Sequence, residues 1–370
     1  MATDSDFILA TAEQVCSAAA SGTTLRIRGG GSKDFYGETL TGEEILETTP
    51  LNGVVSYEPS ELVVTALAGT PLVELEALLA AQGQCLPFEP PHFSPHATVG
   101  GMVAAGLSGP ARANVGAVRD YVLGVKLLNG KGEHLTFGGQ VMKNVAGYDV
   151  SRLMVGAMGT LGLLTELSLK VLPVAPLEAT LRFEMLQSEA LDRLNAWGGQ
   201  PLPLSASCWL EENGAGTLYL RLRGAQAAVE AACRKLGGER LPDTRAMPDW
   251  QRARDQQLPW FKACASTQDL WRLSVPQTAP VLDLPGSPFI EWHGGQRWVH
   301  AEAALGQHLR SIARHVGGSA TLFIANSQPN TRGLSRFDTL KPPLNRIHRE
   351  LKREFDPSGV FNPQRMHADW

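Results

Sequence analysis

Short stretches with the apolar pattern of β-strands recur through the first half of the chain. Residues 24–28 alternate apolar and basic positions, residues 62–67 are almost continuously apolar, and residues 164–173 alternate until a proline ends them. Residues 121–128 and 133–137 flank Asn-Gly-Lys-Gly, which predicts a hairpin because Asn and Gly tolerate the positive φ of a tight turn. The pattern therefore predicts a series of strands before residue 174.

Helical periodicity begins at residues that are suited to cap a helix. Thr11 opens a capping box, and the helix that follows is predicted to end at Gly22. Thr70 is predicted to cap a second helix with Pro71 at its first position and leucines along one face. A third helix is predicted near the C-terminus, stopping before Asp356-Pro357. Its apolar stripe consists of Leu344, Ile347, Leu351 and Phe355.

The pattern changes after residue 173. It then predicts a strand, a helix, two strands joined by a glycine turn, and another helix that ends near residue 236. This β-α-β-β-α order is typical of a separate small α+β domain. We therefore predict an α+β protein with domains at residues 1–173 and 174–340 and a C-terminal segment at residues 341–370.

The composition is that of a folded protein without a strongly basic surface. Hydrophobic residues make up 43% of the 370 residues and charged residues 19%, with a formal net charge of −4. Nucleic acid is not expected as a partner, because no run of Lys or Arg is available to neutralise phosphates. No apolar run reaches the roughly 18 residues of a membrane span, and the N-terminus does not resemble a secretory signal, so we expect a cytoplasmic protein.

The five cysteines are scattered and never have C-x-x-C spacing. This argues against disulfides, a zinc site or an iron–sulfur cluster held by this chain. Any iron–sulfur chemistry would then belong to another chain. The cysteines are Cys16, Cys85, Cys208, Cys233 and Cys264.

Three glycine-rich segments, residues 28–32, 97–110 and 155–166, are the main candidates for chemistry. Glycine permits close backbone approach and positive φ, so N–H groups can converge on an anion such as a diphosphate. Turn formation would explain any single segment, but three in one domain favour a ligand. The spacing matches neither a Rossmann fingerprint nor a P-loop, so we expect a flat, phosphate-bearing cofactor in a different fold.

Four stretches, in this order, carry a specific resemblance: RGGGS, ATVGGMVAAGLSGP, VRDYVLGVKLLNGKGE and KNVAGYDVSRLMVGAMGTLGLLTELSLKVLP. They resemble the FAD-binding domain of the vanillyl-alcohol oxidase or p-cresol methylhydroxylase (PCMH)-type flavoproteins, and FDPSGVFNPQRM resembles the C-terminal return segment of that superfamily. Within it, the chain is most similar to the FAD-binding E subunits of bacterial glycolate oxidase (glycolate dehydrogenase) complexes. The resemblance implies a FAD-binding domain of two α/β subdomains and an α+β cap domain with an antiparallel sheet.

The resemblance also implies which residues contact the cofactor. The first segment would contact the diphosphate through Gly29, Gly30, Gly31 and Ser32. The second segment would line the other side and the ring system through Thr98, Val99, Gly100, Gly101 and Ala104, with Ser108 and Gly109 nearby. Asp120 and Val125 would lie near the adenosine, and Asn362 near the isoalloxazine. The third segment would give backbone contacts to the flavin or adenine through Gly159, Thr160, Leu161, Gly162 and Leu163.

Histidines are the residues that could hold a covalent flavin or a metal in this superfamily. The first segment offers no nucleophile, and Pro95 prevents His92 and His96 from sharing a helix face, so we predict non-covalent FAD. His293 and His300 have the spacing of the metal motif in related 2-hydroxy-acid dehydrogenases, but its acid and its asparagine are missing. Two strands joined by a glycine turn explain this stretch better, and we predict no metal.

The resemblance implies a FAD-dependent oxidoreductase that oxidises glycolate and similar small 2-hydroxy acids to 2-oxo acids. It implies two partners, a related catalytic FAD subunit and an iron–sulfur subunit, and no attachment to the inner membrane except through that complex. Two alternatives stay open. One is a self-sufficient FAD-dependent 2-hydroxy-acid dehydrogenase with Arg272 and His293 on the substrate side, although an ordinary edge-strand arginine would also explain Arg272. The other is an assembly scaffold with a vestigial flavin site.

Overall fold

The computed structural model describes residues 4–39, 44–140, 148–212, 214–326 and 334–367. The helices are α1 Asp4–Ser21, α2 Leu72–Ala81, α3 Val99–Ala105, α4 Arg112–Val115, α5 Val150–Leu153, α6 Gln187–Gly198, α7 Gln226–Leu236, α8 Asp243–Arg254, α9 Pro259–Lys262, α10 Gly306–His315 and α11 Leu344–Phe355. The strands are β1 Leu25–Arg28, β2 Glu44–Glu47, β3 Val54–Glu58, β4 Val63–Leu67, β5 Gln84–Cys85, β6 Val122–Leu128, β7 His134–Gly138, β8 Leu163–Lys170, β9 Leu172–Pro173, β10 Leu177–Glu184, β11 Leu204–Glu212, β12 Ala215–Gly224, β13 Glu239–Leu241, β14 Asp269–Ser274, β15 Phe289–Glu291, β16 Gln296–Ala301 and β17 Ser319–Ile324.

The chain divides into two compact units. The first unit comprises Met1–Leu107, Ala117–Val174 and Thr339–Trp370, and the second comprises Ser108–Gly116 and Ala175–Asp338. This division separates Ser108–Gly116 from the residues on either side of it. The apolar pattern of the sequence does not indicate that these nine residues belong to the second unit.

The first unit is built on a five-stranded antiparallel sheet with the strand order β3-β4-β8-β6-β7. The central strand β8 is largely buried on both faces, so buried residues follow one another along it instead of alternating with exposed ones. Leucines of α2 (Leu72, Leu75 and Leu79) pack in the same core as Met102 and Val103 of α3. A parallel pair, β1 and β2, lies outside this sheet, and Leu25 of β1 also bridges to Phe361 of the C-terminal segment.

The second unit is built on an eight-stranded antiparallel sheet with the order β13-β10-β12-β11-β15-β16-β14-β17. Apolar residues of α6 and α7, such as Leu194 and Val229, share one core with residues of β10 and β12. Leu309 and Ala313 of α10 pack with Trp271 at the other end of the sheet. The sequence of elements from β10 to α7 confirms the predicted β-α-β-β-α order.

Several local predictions are confirmed and others are wrong for identifiable reasons. The hairpin of β6 and β7 and the hairpin of β15 and β16 form as predicted. Thr11 does not cap a helix, because α1 begins seven residues earlier at Asp4 and the Thr11 hydroxyl donates to the Phe7 carbonyl. Thr70 does not cap α2 either; its hydroxyl bonds to the backbone of Gly53, and the helix starts after Pro71.

Two further differences concern the C-terminal helix and Arg272. In α11, Leu351 and Phe355 pack against the core of the first unit, whereas Leu344 and Ile347 are exposed. Strand β14, which carries Arg272, lies between β16 and β17 and is therefore not an edge strand. The explanation of Arg272 as an edge-strand residue is wrong.

Candidate cofactor site

Residues of all three glycine-rich segments line two adjoining cavities of the first unit. The lining residues that the two cavities share are Ile27, Gly29, Gly101, Ala104, Met158 and Asn362. One cavity extends to Gly159, Leu161 and Gly162, and the other to Gly30, Gly31 and Ser32. The fold thus brings predicted cofactor residues from distant parts of the sequence to one place.

Glycine is required in the first segment because residues 96–98 lie against it. A Cβ atom on Gly29 would lie 2.6 Å from the Thr98 hydroxyl, and one on Gly30 would overlap the carbonyl oxygen of His96. The first and second glycine-rich segments therefore pack directly on each other. Close approach of the neighbouring segment, more than space reserved for a ligand, excludes side chains at these two positions.

The two segments differ in what their backbone N–H groups can bind. No acceptor for the N–H groups of Gly29, Gly30, Gly31 or Ser32 exists among the residues that the structure describes. In the second segment, by contrast, Val99 N–H donates to the Thr70 carbonyl (2.9 Å) and Gly100 N–H to the Ala68 carbonyl (2.7 Å), and Gly101 N–H donates to the Thr98 hydroxyl (3.2 Å). The first segment can thus bind an anion, while the second offers a flat surface without free amides there.

Asn362 connects the C-terminal segment to β1 and to the third glycine-rich segment, both of which line the cavities. Its side-chain oxygen accepts from Ile27 N–H (2.9 Å), and its side-chain nitrogen donates to the Met158 carbonyl (2.7 Å). A Cβ atom on Gly159, whose φ is +74°, would lie 2.5 Å from that nitrogen. Asn362 lines both cavities, and its amide also holds β1 and the third segment together.

Two basic side chains at the ends of the glycine run line the cavity beside the glycines, and sequence reasoning missed them. Arg28 and Lys33 both lie there. Arg28 forms an ion pair with Asp34 (2.9 Å), and the Lys33 ammonium lies 3.2 Å from the Ser32 hydroxyl. The signal was present in the sequence, since both residues flank the glycine run. Their charge favours a phosphate at the unpaired amides.

A buried ion pair lies behind the third segment, and sequence reasoning also missed it. Lys352 of α11 and Asp356 are both buried, with their charged groups 2.6 Å apart. Burial lowers the pKa of Lys352, while the neighbouring Asp356 carboxylate raises it. The ammonium also donates to the carbonyl oxygens of Thr160 and Phe361, each at 2.8 Å.

Some predicted cofactor residues do not line the two cavities. The Val125 and Leu163 side chains are buried in apolar clusters, and Val99 is fully buried. Asp120 is exposed, and its carboxylate accepts from Ala117 N–H (2.8 Å). The roles assigned to these residues, and to Thr160, stay predictions.

Ser108 and Gly109 belong to the second unit rather than the first. Within that unit, the Gly109 carbonyl accepts a hydrogen bond from the Trp292 indole (3.0 Å), and the Arg112 guanidinium lies 4.4 Å from the centre of the Trp292 ring. Neither Ser108 nor Gly109 lines the cavities of the first unit. Their predicted contacts with the cofactor also stay predictions.

The substrate-side candidates Arg272 and His293 both lie in the second unit, in different settings. Arg272 is half-buried with its guanidinium 5.4 Å from the centre of the Phe323 ring. His293 is buried in a left-handed turn (φ 54°), and burial lowers its pKa to about 4. The Asn114 amide nitrogen lies 2.6 Å from its Nε2 and also donates to the Ser205 carbonyl, so Nε2 accepts and the imidazole proton lies on Nδ1. His293 in this state cannot take a proton at Nε2 without losing that hydrogen bond.

The second unit also has a cavity of its own, with a volume of about 570 Å³. Trp250, Trp260 and Tyr219 form part of its lining, and neither Arg272 nor His293 does.

Within the described ranges, no group of three or more His, Cys, Asp or Glu side chains is arranged to hold a metal ion. No helix in those same ranges is long and apolar enough to cross a membrane.

The chain is similar to known proteins in both sequence and structure. Residues 9–138 match the family described as "FAD binding domain". The glycolate oxidase subunit GlcE of Escherichia coli (strain K12) is 47% identical over 369 residues, which cover 100% of both chains. The glycolate oxidase subunit GlcD of Bacillus subtilis (strain 168) is 31% identical over 156 residues, covering 42% of this chain and 33% of that one. Among solved structures, p-cresol methylhydroxylase with bound substrate has a TM-score of 0.72 at 13% identity, over 98% of this chain and 88% of that one.

The residues around the two cavities fit FAD. Unpaired amides and two basic side chains are suited to a diphosphate, and Gly101 and Ala104 leave a surface without large side chains for a flat group. The chain therefore belongs to the GlcE family of glycolate oxidase subunits, with a PCMH-type fold and FAD as its cofactor.

Proposed function

We propose that this chain is the FAD-binding E-type subunit of a complex that oxidises glycolate and similar 2-hydroxy acids to 2-oxo acids. The observation that carries the proposal is the meeting of three glycine-rich segments, with unpaired amides at Gly29–Ser32, in a chain that aligns over its full length with a GlcE subunit. When bound, FAD supplies the two-electron oxidation of a CH–OH group. The chain's own residues bind and orient that cofactor.

The first unit supports non-covalent binding of the cofactor. The N–H groups of the first segment and the charges of Arg28 and Lys33 would hold the diphosphate, and Gly101 and Ala104 would lie against a flat part of FAD. The third segment and Asn362 would close the other side. His96 is exposed, and His92 lies 3.0 Å from the Glu76 carboxylate. Neither histidine lines the two cavities.

Oxidation of the 2-hydroxy acid is assigned to a partner, a related FAD subunit. The likeness of this chain to a GlcD subunit supports a partner of that kind. The two substrate-side candidates of this chain also have other contacts: Arg272 lies over Phe323, and His293 is bonded to Asn114. Electrons would then pass to an iron–sulfur subunit of the same complex.

Flavin counting and anaerobic reduction test this proposal. The chain is purified alone and, separately, with the partner chains from its native host, and FAD is measured by absorbance after denaturation. We expect the isolated chain to hold FAD and to keep its oxidised spectrum on addition of glycolate or D-lactate, while the complex is bleached by glycolate. An isolated chain that takes up no FAD after reconstitution contradicts the cofactor assignment. Bleaching of the isolated chain contradicts the division of labour and supports a self-sufficient dehydrogenase.

A further inference from the structure

Lys352 has every hydrogen-bond donor of its ammonium occupied inside the first unit. The ammonium donates to Asp356 Oδ2 (2.6 Å) and to the carbonyl oxygens of Thr160 and Phe361 (2.8 Å each). The Asp356 carboxylate in turn accepts from the N–H groups of Val360 (3.0 Å) and Phe361 (2.8 Å). Both charges are thus fully hydrogen-bonded in the buried state.

Burying this pair is costly, which calls for a use beyond packing. Lys352 is 6% exposed, and removing an ammonium and a carboxylate from water is unfavourable for each ion. Well-packed apolar side chains often replace a buried ion pair with no loss of stability. What an apolar residue cannot supply is a positive charge against the carbonyl oxygen of Thr160.

That carbonyl belongs to a peptide group whose other end faces away from Lys352. In a trans peptide the C=O of Thr160 and the N–H of Leu161 point in opposite directions. Leu161 lines the cofactor cavity, and no acceptor for its N–H group exists in the part of the chain that the structure describes. A cation bonded to the carbonyl polarises the peptide and makes the N–H a stronger donor.

Lys352 also fixes a second segment of the cavity lining. Its bond to the Phe361 carbonyl lies next to Asn362, whose side chain bonds to Ile27 N–H and to the Met158 carbonyl. One ammonium therefore holds the third glycine-rich segment and the C-terminal segment at the same time. A change at Lys352 acts on both.

We propose that Lys352 is a positioning residue for FAD: it fixes and polarises the Thr160–Leu161 peptide so that the Leu161 N–H group donates to the bound cofactor. This inference rests on the proposed binding of FAD to this chain. It does not require substrate oxidation here. A structural role alone would affect stability without a separate effect on FAD affinity.

The test compares Lys352→Met with Arg297→Met in the full chain. Arg297 is a matched control, because it is a fully buried cation of the second unit that donates to the carbonyl oxygens of Gly294, Pro280 and Ala279. FAD is removed, and its dissociation constant and the thermal shift on adding it back are measured. We expect Lys352→Met to weaken FAD binding by about ten- to a hundred-fold, as for the loss of a charge-assisted contact. Arg297→Met should lower the melting temperature while keeping FAD affinity within about two-fold of wild type.

The outcomes separate this inference from the proposed function. If the wild-type chain does not bind FAD, the proposed function fails first. If the wild type binds FAD and Lys352→Met binds it equally well, only the inference is overturned. Should Lys352→Met not fold, Asp356→Asn removes the carboxylate and leaves the ammonium at Thr160. FAD affinity kept in that variant despite lower stability supports the inference, and affinity lost in step with stability overturns it.

Discussion

The two units of this chain differ in which polar groups are notable: backbone amides in the first unit and buried side chains in the second. In the first unit, backbone carries the candidate chemistry: unpaired amides at Gly29–Ser32 and glycines whose Cβ positions are filled by neighbouring segments. In the second unit, the buried Arg297 guanidinium donates to the carbonyl oxygens of Ala279 and Pro280, and Nε2 of the buried His293 accepts from the Asn114 amide. Amides of the first unit that have no acceptor among the described residues favour a ligand, whereas these two buried side chains of the second unit are bonded within that unit.

The tryptophans make this difference measurable. The chain has eight, and seven of them fall within the second unit: Trp197, Trp209, Trp250, Trp260, Trp271, Trp292 and Trp298. Tryptophan fluorescence therefore reports mainly on the second unit, and flavin absorbance reports on the cofactor. A variant that changes one signal and leaves the other unchanged shows which unit it has affected.

Gly30→Ala should have the largest effect on FAD binding, and it alters the first unit alone. The added Cβ would overlap the His96 carbonyl oxygen, so the first two glycine-rich segments must move apart. We expect FAD affinity to fall by on the order of a hundred-fold or more, while the tryptophan-detected unfolding of the second unit stays unchanged. Flavin retained per purified chain and the fluorescence melting curve are the two measurements.

Gly139→Ala is the matched control for this variant. Gly139 also lies in the first unit, but nothing lies within 4 Å of the position that its Cβ would take. Its substitution should leave flavin content at the wild-type level. Wild-type FAD affinity in Gly30→Ala would show that the two segments do not need close contact to bind FAD, and the account of the first segment would be wrong.

His293 gives a prediction about the second unit, through pH. Burial lowers its pKa to about 4 from the ordinary 6.5, so between those values the unfolded chain binds a proton that the folded chain does not. The contribution of this group to stability is complete above pH 6.5 and is lost as the pH falls through 4. The loss is on the order of 3 kcal/mol in the free energy of unfolding.

His293→Asn should remove this part of the acid sensitivity, since Asn does not titrate and tolerates the left-handed backbone at this position. The measurement is tryptophan-detected urea unfolding at pH 7, 5.5 and 4. His308→Asn, a change at an exposed residue of α10, should retain the wild-type pH dependence. An equally steep loss of stability in His293→Asn and wild type would mean that other groups cause it.

The sequence was most informative where local backbone geometry by itself requires particular residues. Asn-Gly-Lys-Gly predicted the β6–β7 hairpin because the turn alone requires those residues. The glycine-rich segments were recognised because few structures need so many glycines in one domain. The predicted cap at Thr11 is wrong because the helix already begins at Asp4, and the Thr11 hydroxyl donates to the Phe7 carbonyl one turn earlier in the same helix. The predicted cap at Thr70 is wrong because its hydroxyl bonds to the backbone of Gly53, which the fold brings near.

The buried ion pair shows what local patterns cannot reveal. Lys352 and Asp356 are four residues apart, which in a sequence is typical of an exposed helical pair. In the fold, however, both are buried, and Lys352 donates to the carbonyl oxygen of Thr160, which is 192 residues away. The amides of Val99 and Gly100 are a similar case, since their acceptors, Thr70 and Ala68, become visible only in the fold.

Lys33→Met is expected to have the smallest effect and to sharpen the account of the first unit by separating charge from backbone. The Lys33 ammonium lies beside the Ser32 hydroxyl at the edge of the cavity, where its attraction for a phosphate is partly screened by solvent. We expect FAD affinity to fall by about two- to five-fold, with a weaker dependence on salt than in the wild type. Titration of apo chain with FAD at low and high ionic strength measures both, and Lys131→Met, which changes a lysine away from both cavities, is the control. An unchanged salt dependence in Lys33→Met would mean that the amides and Arg28 bind the diphosphate without a contribution from the charge of Lys33.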